Sequence, residues 1–228
     1  MQKLLVSFIQ KLNFLITYIF QKNFSEIEFL KMILKDEAVI VDIGSNLGNF
    51  ISTLKKINKK TTIYSIEPNI DLINFQKKKF KKEKNINFFN IGIDSNNRIA
   101  KFYIRKPVSH SSLLDSHPDE EFNEVVSTSE VEVETLDSFI EKHNVNKITL
   151  LKIDTEGLDY EILTSLKTLL LNKKIEYIKI EANHESFEKI VSFCNTNNIK
   201  FVGISSMFYH RNKLNMMDIY LENKNFSK

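Results

Sequence analysis

One feature constrains the fold more than any other: short β-branched runs take turns with longer stretches patterned for helix. The runs occupy residues 38–42, 61–66, 86–91, 150–154, 175–180, 200–204 and 218–221. Helical stretches fall near residues 24–35, 47–57, 69–83, 135–144, 157–171 and 185–197. Strands that alternate with helices build βαβ units and a mainly parallel sheet. Right-handed crossovers then place helices on both faces. Residues 99–134 break the rhythm. Two strand-like runs, 100–104 and 131–134, flank a long segment holding Ser109, His110, Ser111, Ser112 and the acidic Asp119, Glu120 and Glu121. This reads as an inserted strand pair with a long loop, and loops of that length are usually functional or disordered.

A chain of 228 residues suits one α/β domain with a short appendage. The expected division is an N-terminal helical segment over 1–36 and an α/β domain over 37–228. A net charge of +3 is too small to argue for a nucleic-acid partner. The basic run Lys77, Lys78, Lys79, Lys81, Lys82 and Lys84 sits at a helix end, where cations suit the dipole. Cys194 is the sole cysteine, which excludes an intrachain disulfide and points to a reducing, cytoplasmic setting. Residues 4–20 are apolar but are broken by Gln10, Lys11 and Asn13, which argues against a spanning helix. Leu4, Leu5, Phe8, Leu12, Leu15 and Ile19 form one helical stripe. Such a stripe packs on the domain, on a second subunit, or on the inner face of a membrane.

The chemistry gathers at strand ends, where open parallel sheets bind ligands. The first βα turn reads Val41-Asp42-Ile43-Gly44-Ser45-Asn46-Leu47-Gly48. Gly44 allows a tight turn and a close ligand approach; Gly48 permits close packing of the following helix. The pattern lacks the middle glycine of a dinucleotide fingerprint, and Asp42 would repel a pyrophosphate. A sulfonium or ammonium would accept that carboxylate, which favours S-adenosyl-L-methionine over a nicotinamide. Glu67 ends the second run, where a carboxylate can accept from both ribose hydroxyls. Pro68 and Asn69 beside it are counted with the donor site, although Glu67-Pro68-Asn69 also reads as a helix entry. The turn after the third run, with Gly92 and Ile93, is expected over the adenine.

The fourth run ends in Lys152-Ile153-Asp154-Thr155-Glu156-Gly157 and the fifth in Glu181-Ala182-Asn183-His184. Asp154, Glu156, Glu181 and His184 are candidates to orient an acceptor hydroxyl and take its proton. Asp154 and Glu156 also suit a helix N-terminus. His110, Ser111 and Ser112 are candidate acceptor contacts. No metal site is assigned, although Asp154, Glu156 and Glu181 could together hold Mg²⁺.

These residues together resemble the FkbM-type methyltransferase family. The matching pieces are 41–48, 65–69, 111–113, 133–138 and 151–157, in the family's order, with Lys-Ile-Asp-x-Glu-Gly the most distinctive. The resemblance implies a Rossmann-like, seven-stranded, mostly parallel sheet with one antiparallel strand. It implies S-adenosyl-L-methionine as donor and O-methylation, often of a sugar or other natural product. By match, Asp42, Gly44, Asn46, Gly48 and Glu67 would line the donor site, and Asp154 and Glu156 would face the acceptor. The remaining alternatives are a non-catalytic donor-binding scaffold and a nicotinamide-binding oxidoreductase.

Overall fold

A computed structural model describes residues 24–35, 37–117, 120–210 and 213–226. The N-terminal stripe at residues 4–20 lies outside the described residues. The elements, in chain order, are α1 (Glu26–Ile33), β1 (Val39–Ile43), α2 (Asn49–Ile57), β2 (Thr62–Ile66), α3 (Ile70–Lys79), β3 (Ile86–Phe89) and β4 (Gly92–Ile93). There follow β5 (Arg98–Arg105), β6 (Val125–Glu134), α4 (Leu136–Lys142), β7 (Ile148–Ile153), α5 (Asp159–Ser165) and α6 (Lys167–Leu171). The chain closes with β8 (Ile175–Ala182), α7 (His184–Thr196), β9 (Ile199–His210) and β10 (Lys213–Asn223).

Seven strands form one sheet in the order β3-β2-β1-β7-β8-β10-β9. Only β10 runs against its neighbours, pairing antiparallel with both β8 and β9. The order steps outward from β1 to one side and from β7 to the other. A ligand crevice therefore opens between the carboxyl ends of β1 and β7. Alternation along each strand splits the core in two. Ile40, Ile63 and Leu150 pack with Leu30 and Ile33 of α1 and Ile51 and Leu54 of α2. Val41, Ile43, Leu151, Ile153 and Ile178 face the other way, onto Phe139, Leu163 and Phe193 of α4, α5 and α7. Helix α1 is thus part of the core of the α/β domain.

Helix starts follow local chemistry. Asn183 caps α7 in a reciprocal capping box with Ser186. Asn69 caps α3 and Thr135 caps α4 through side-chain oxygens. The helix expected over 157–171 is two, broken at Leu166.

The insertion is larger than the expected strand pair. It is a three-stranded sheet, β4-β6-β5, in which the two-residue β4 pairs parallel with β6. Gly92 and Ile93, expected in a turn, are therefore strand residues, because their backbone finds partners on Val133 and Glu134. Among the described residues, no helix is long and apolar enough to cross a membrane.

Candidate active site

The turn after β1 is shaped by what lies against it. Gly44 has φ +72°, and a Cβ there would sit 1.7 Å from the Asp154 carbonyl oxygen. The β1 and β7 ends therefore touch only because residue 44 has no side chain. Asn46 also takes a left-handed conformation, φ +49°, which asparagine tolerates better than most residues. A buried network fixes the turn. Ser65 Oγ donates to Gln76 Oε1 at 2.7 Å, and Gln76 Nε2 donates to Ser45 Oγ and to the Asn46 carbonyl. From the basic run, Lys79 donates to the Leu47 carbonyl at 2.9 Å, so that lysine is not merely a solvated helix end. Gly48 packs against Phe80: a Cβ would lie 2.6 Å from its ring.

Glu67 emerges from β2 almost fully buried. The Asn46 N–H donates to one carboxylate oxygen and the Asn69 N–H to the other, both at 2.9 Å. Each oxygen retains a lone pair for a ligand hydroxyl. Burial pushes the carboxyl up to about 7, against the pull of those two amides. Asn90 Nδ2 donates to the Glu67 and Pro68 carbonyls and holds the strand end in place.

Asp42 lies in the middle of the sheet, 0% exposed, and its register partner on β7 is Lys152. Lys152 Nζ stands 3.2 Å from Asp42 and 2.9 Å from Asp154, and donates to the Gly44 carbonyl. Burial works against the charge on Lys152. Asp154 and Asp42 outweigh it and hold the ammonium well above the ordinary lysine range. Within the sheet Asp42 is thus matched by Lys152, and it is not among the residues that line the cleft. The polar row continues on the same face. Lys179 on β8 meets Glu26 and Asp218 at 3.0 and 2.9 Å, and Tyr220 Oη donates to Glu26 at 2.5 Å.

The Thr155-Glu156-Gly157 turn is held from below. Asp159 accepts from the Thr155 and Gly157 amides at 2.9 and 3.2 Å, and burial beside Asp154 pushes its carboxyl to about 7. Because Asp159 takes those amides, Asp154 and Glu156 are not the helix caps they could have been. Glu156 sits at φ +56°. One of its oxygens meets His110 Nδ1 and His117 Nε2, each at 3.2 Å. Burial acts to raise Glu156, but the two imidazoles outweigh it and hold it below the usual carboxylate range. Burial, with like charges around them, raises Asp154 and raises Glu181 strongly.

Between these ends lies a cleft, at the crevice where open α/β sheets bind ligands. Gly44, Asn46, Glu67, Pro68, Gly92 and Ile93 line one side of it with Ile66, Leu72 and Ile91. Asp154, Glu156, Ser111 and Ser112 line the other side. Among the described residues that line it, three are acids and none is Lys or Arg. The serine hydroxyls are engaged within the loop: Ser111 Oγ donates to the Val108 carbonyl, and Ser112 Oγ accepts from Arg105. Arg105, fully buried, also donates to the Leu114 carbonyl at 2.6 Å and anchors the loop.

Several expected residues lie elsewhere. Gly48 and Asn69 shape the turn and the α3 cap behind the cleft. Glu181 is half-buried and absent from the cleft lining, its carboxylate within 4.8 Å of those of Asp154 and Glu156. His184 is a correction. Strand β8 runs on to Ala182 and Asn183 caps α7, so His184 starts the helix with a side chain 58% exposed and outside the site. The sequence reading missed Lys152 as counter-ion, Asp159 as turn support, Arg105 as loop anchor and His117 as a partner of Glu156.

Comparison with known proteins agrees with this geometry. An rRNA methylase from Streptococcus thermophilus superposes with TM-score 0.52 at 12% identity, over 86% of this chain and 93% of that one. TrmK of M. capricolum, in complex with S-adenosyl-homocysteine, superposes with TM-score 0.52 at 16% identity, over 88% and 69%. A human methyltransferase 10 domain containing protein gives TM-score 0.53 at 8% identity, over 86% and 79%. Identities this low carry the fold alone. No curated protein sequence matches the chain. The methyltransferase FkbM domain model matches residues 42–226, from the buried Asp42 to the end of the sheet, and the chain therefore belongs to the FkbM methyltransferase family.

Proposed function

We propose that the chain is an S-adenosyl-L-methionine-dependent O-methyltransferase acting on a hydroxyl of a sugar or a related glycan or natural product. The observation that carries the reading is the charge of the cleft: Glu67, Asp154 and Glu156 line it, with no basic residue among the described residues that line it. A cationic, phosphate-free adenosine fits such walls, and a pyrophosphate does not. The family and the S-adenosyl-homocysteine complex of the M. capricolum neighbour support the same donor. That donor supplies an electrophilic methyl group on a sulfonium sulfur.

The residues divide the remaining work. Glu67 accepts from the ribose hydroxyls through its unused lone pairs. Gly44 lets the backbone approach the ligand. Leu72, Ile91 and Ile93 give the adenine apolar surface. Asp154 takes the acceptor's hydroxyl proton, and its crowded, half-buried setting makes it more basic than a free carboxylate. Glu156 orients the acceptor. Most of the acceleration comes from holding the two reactants in line. One fold neighbour is titled an rRNA methylase. In the present cleft a phosphate backbone would face carboxylates, which favours an uncharged acceptor.

The test is methyl-transfer mass spectrometry against a panel of sugars, glycolipids and short RNAs. The reading expects a mass gain of one methyl on a hydroxyl of a sugar-containing acceptor, lost in Asp154→Asn. Methylation of RNA alone would refute it.

A further inference from the structure

We propose that His110, His117 and Glu156 form a binding site for a divalent transition-metal ion of the zinc type, at the acceptor side of the cleft. Three donor atoms converge there. His110 Nδ1 and His117 Nε2 each stand 3.2 Å from the same oxygen of Glu156, and all three atoms lie within 4.8 Å of one another. Bonds of about 2.0–2.1 Å in tetrahedral geometry place neighbouring ligand atoms about 3.3 Å apart. Two imidazoles and one carboxylate are a donor set for zinc, iron, cobalt or nickel rather than for magnesium or calcium. Three protein ligands also leave a coordination position open.

The ligands are held in place before any ion arrives. Phe122 stacks on the His110 ring at 3.8 Å with the planes 8° apart, and stands edge-on to His117 at 5.6 Å. Glu156 holds a left-handed backbone that Asp159 fixes through the amides on either side. The His110, His117 and Glu156 side chains are 17%, 7% and 17% exposed, so bulk water reaches them little. Charge favours a dication as well. The Asp154 and Glu181 carboxylates come within 4.8 Å of Glu156, while Lys152 pairs with Asp154 and Asp42.

Glu156 lines the cleft, so an ion held on it would lie at the cleft wall. A hydroxyl or water oxygen would complete the shell there. This last step rests on the O-methyltransferase reading; ion binding by the three side chains does not.

The experiment uses the full chain, stripped with chelator and titrated calorimetrically with Zn²⁺, with Co²⁺ as a visible-absorption probe of coordination. One equivalent binds. His110→Ala and His117→Ala each weaken binding at least tenfold, and His184→Ala leaves it unchanged. Thermal melts of the stripped variants check folding, with His117→Asn as the second variant should His117→Ala fail to fold. No bound ion, or binding that survives both histidine substitutions, overturns the site. So does binding lost in Glu181→Gln but kept in the histidine variants, since the ion would then sit among the carboxylates. S-adenosyl-homocysteine affinity is measured in the same samples. Zinc bound without nucleoside would refute the methyltransferase reading and leave the metal site standing; nucleoside bound without zinc would do the reverse.

Discussion

Replacing Glu67 with Gln tests the donor side of the cleft most sharply, because the carboxyl is buried and poised near neutrality. Its ordinary value of 4.5 is pushed to about 7 in the folded chain. The sign follows from linkage. Between those two values the folded protein holds a proton that the unfolded chain has released, so this group's contribution to stability is lost as pH rises through 7. The shift corresponds to about 3 kcal/mol, taking 1.36 kcal/mol per unit. Ribose hydroxyls need the ionised form as acceptor. Nucleoside binding therefore releases a proton below pH 7, and the apparent Kd scales inversely with the ionised fraction. Between pH 8 and pH 6 the affinity of the wild-type chain for S-adenosyl-homocysteine falls roughly tenfold. Glu67→Gln removes charge assistance from two hydrogen bonds, worth about 1.5–3 kcal/mol in all, so binding at pH 8 weakens about 10- to 100-fold. The variant loses the pH slope in the same window. Isothermal calorimetry in two buffers of different ionisation enthalpy reads both the affinity and the protons released. A variant that binds as tightly as wild type at pH 8, with the same slope, would refute the reasoning.

Lys152→Met leaves Asp42 buried without its cation and lowers stability by about 3–5 kcal/mol in urea unfolding; adding Asp42→Asn restores part of the loss, and additive effects would contradict the pairing. Gly44→Ala combines a left-handed backbone with a clash on the Asp154 carbonyl, and costs about 2 kcal/mol or more by the same measurement. Asp154→Asn lowers turnover about 100-fold or more while S-adenosyl-homocysteine affinity stays within about threefold; equal turnover would remove the proton-acceptor role. Arg105→Met frees the loop that carries His110 and Ser112, raising the acceptor KM with donor affinity unchanged, and an unchanged acceptor KM would show that the loop is held by other contacts.

Much of the sheet is legible because its signals are local. The β-branched runs and the turns that close them mark β1, β2, β3, β7 and β8 within about two residues, whereas β6, β9 and β10 run five or six residues past the expected bounds. Gly44 and Glu67 were readable for the same reason, since each sits where a strand ends at the crevice. What escaped depends on contacts across long separations. Lys152 meets Asp42 through the register of β1 on β7, 110 positions apart in the chain. His117 reaches Glu156 from the inserted loop, whose Leu114 carbonyl Arg105 holds. Asp159 looks like an ordinary acid in a helix's first turn until its two backbone partners are seen. His184 misled because the strand was expected to end two residues early, at Ile180 rather than Ala182; the difference moves the imidazole from the sheet edge onto a helix facing solvent.

The central claim is that an acid-lined cleft without basic residues takes a phosphate-free adenosine. Thermal-shift titration with S-adenosyl-L-methionine, S-adenosyl-homocysteine, NAD and ATP tests it most directly. At 100 times Kd a native-state ligand adds about 2.7 kcal/mol. In a chain of 228 residues that raises the midpoint by about 5–11 °C. The two sulfur nucleosides should give that rise and the two phosphate-bearing ones none. A midpoint raised by NAD or ATP and unmoved by either sulfur nucleoside would contradict the account.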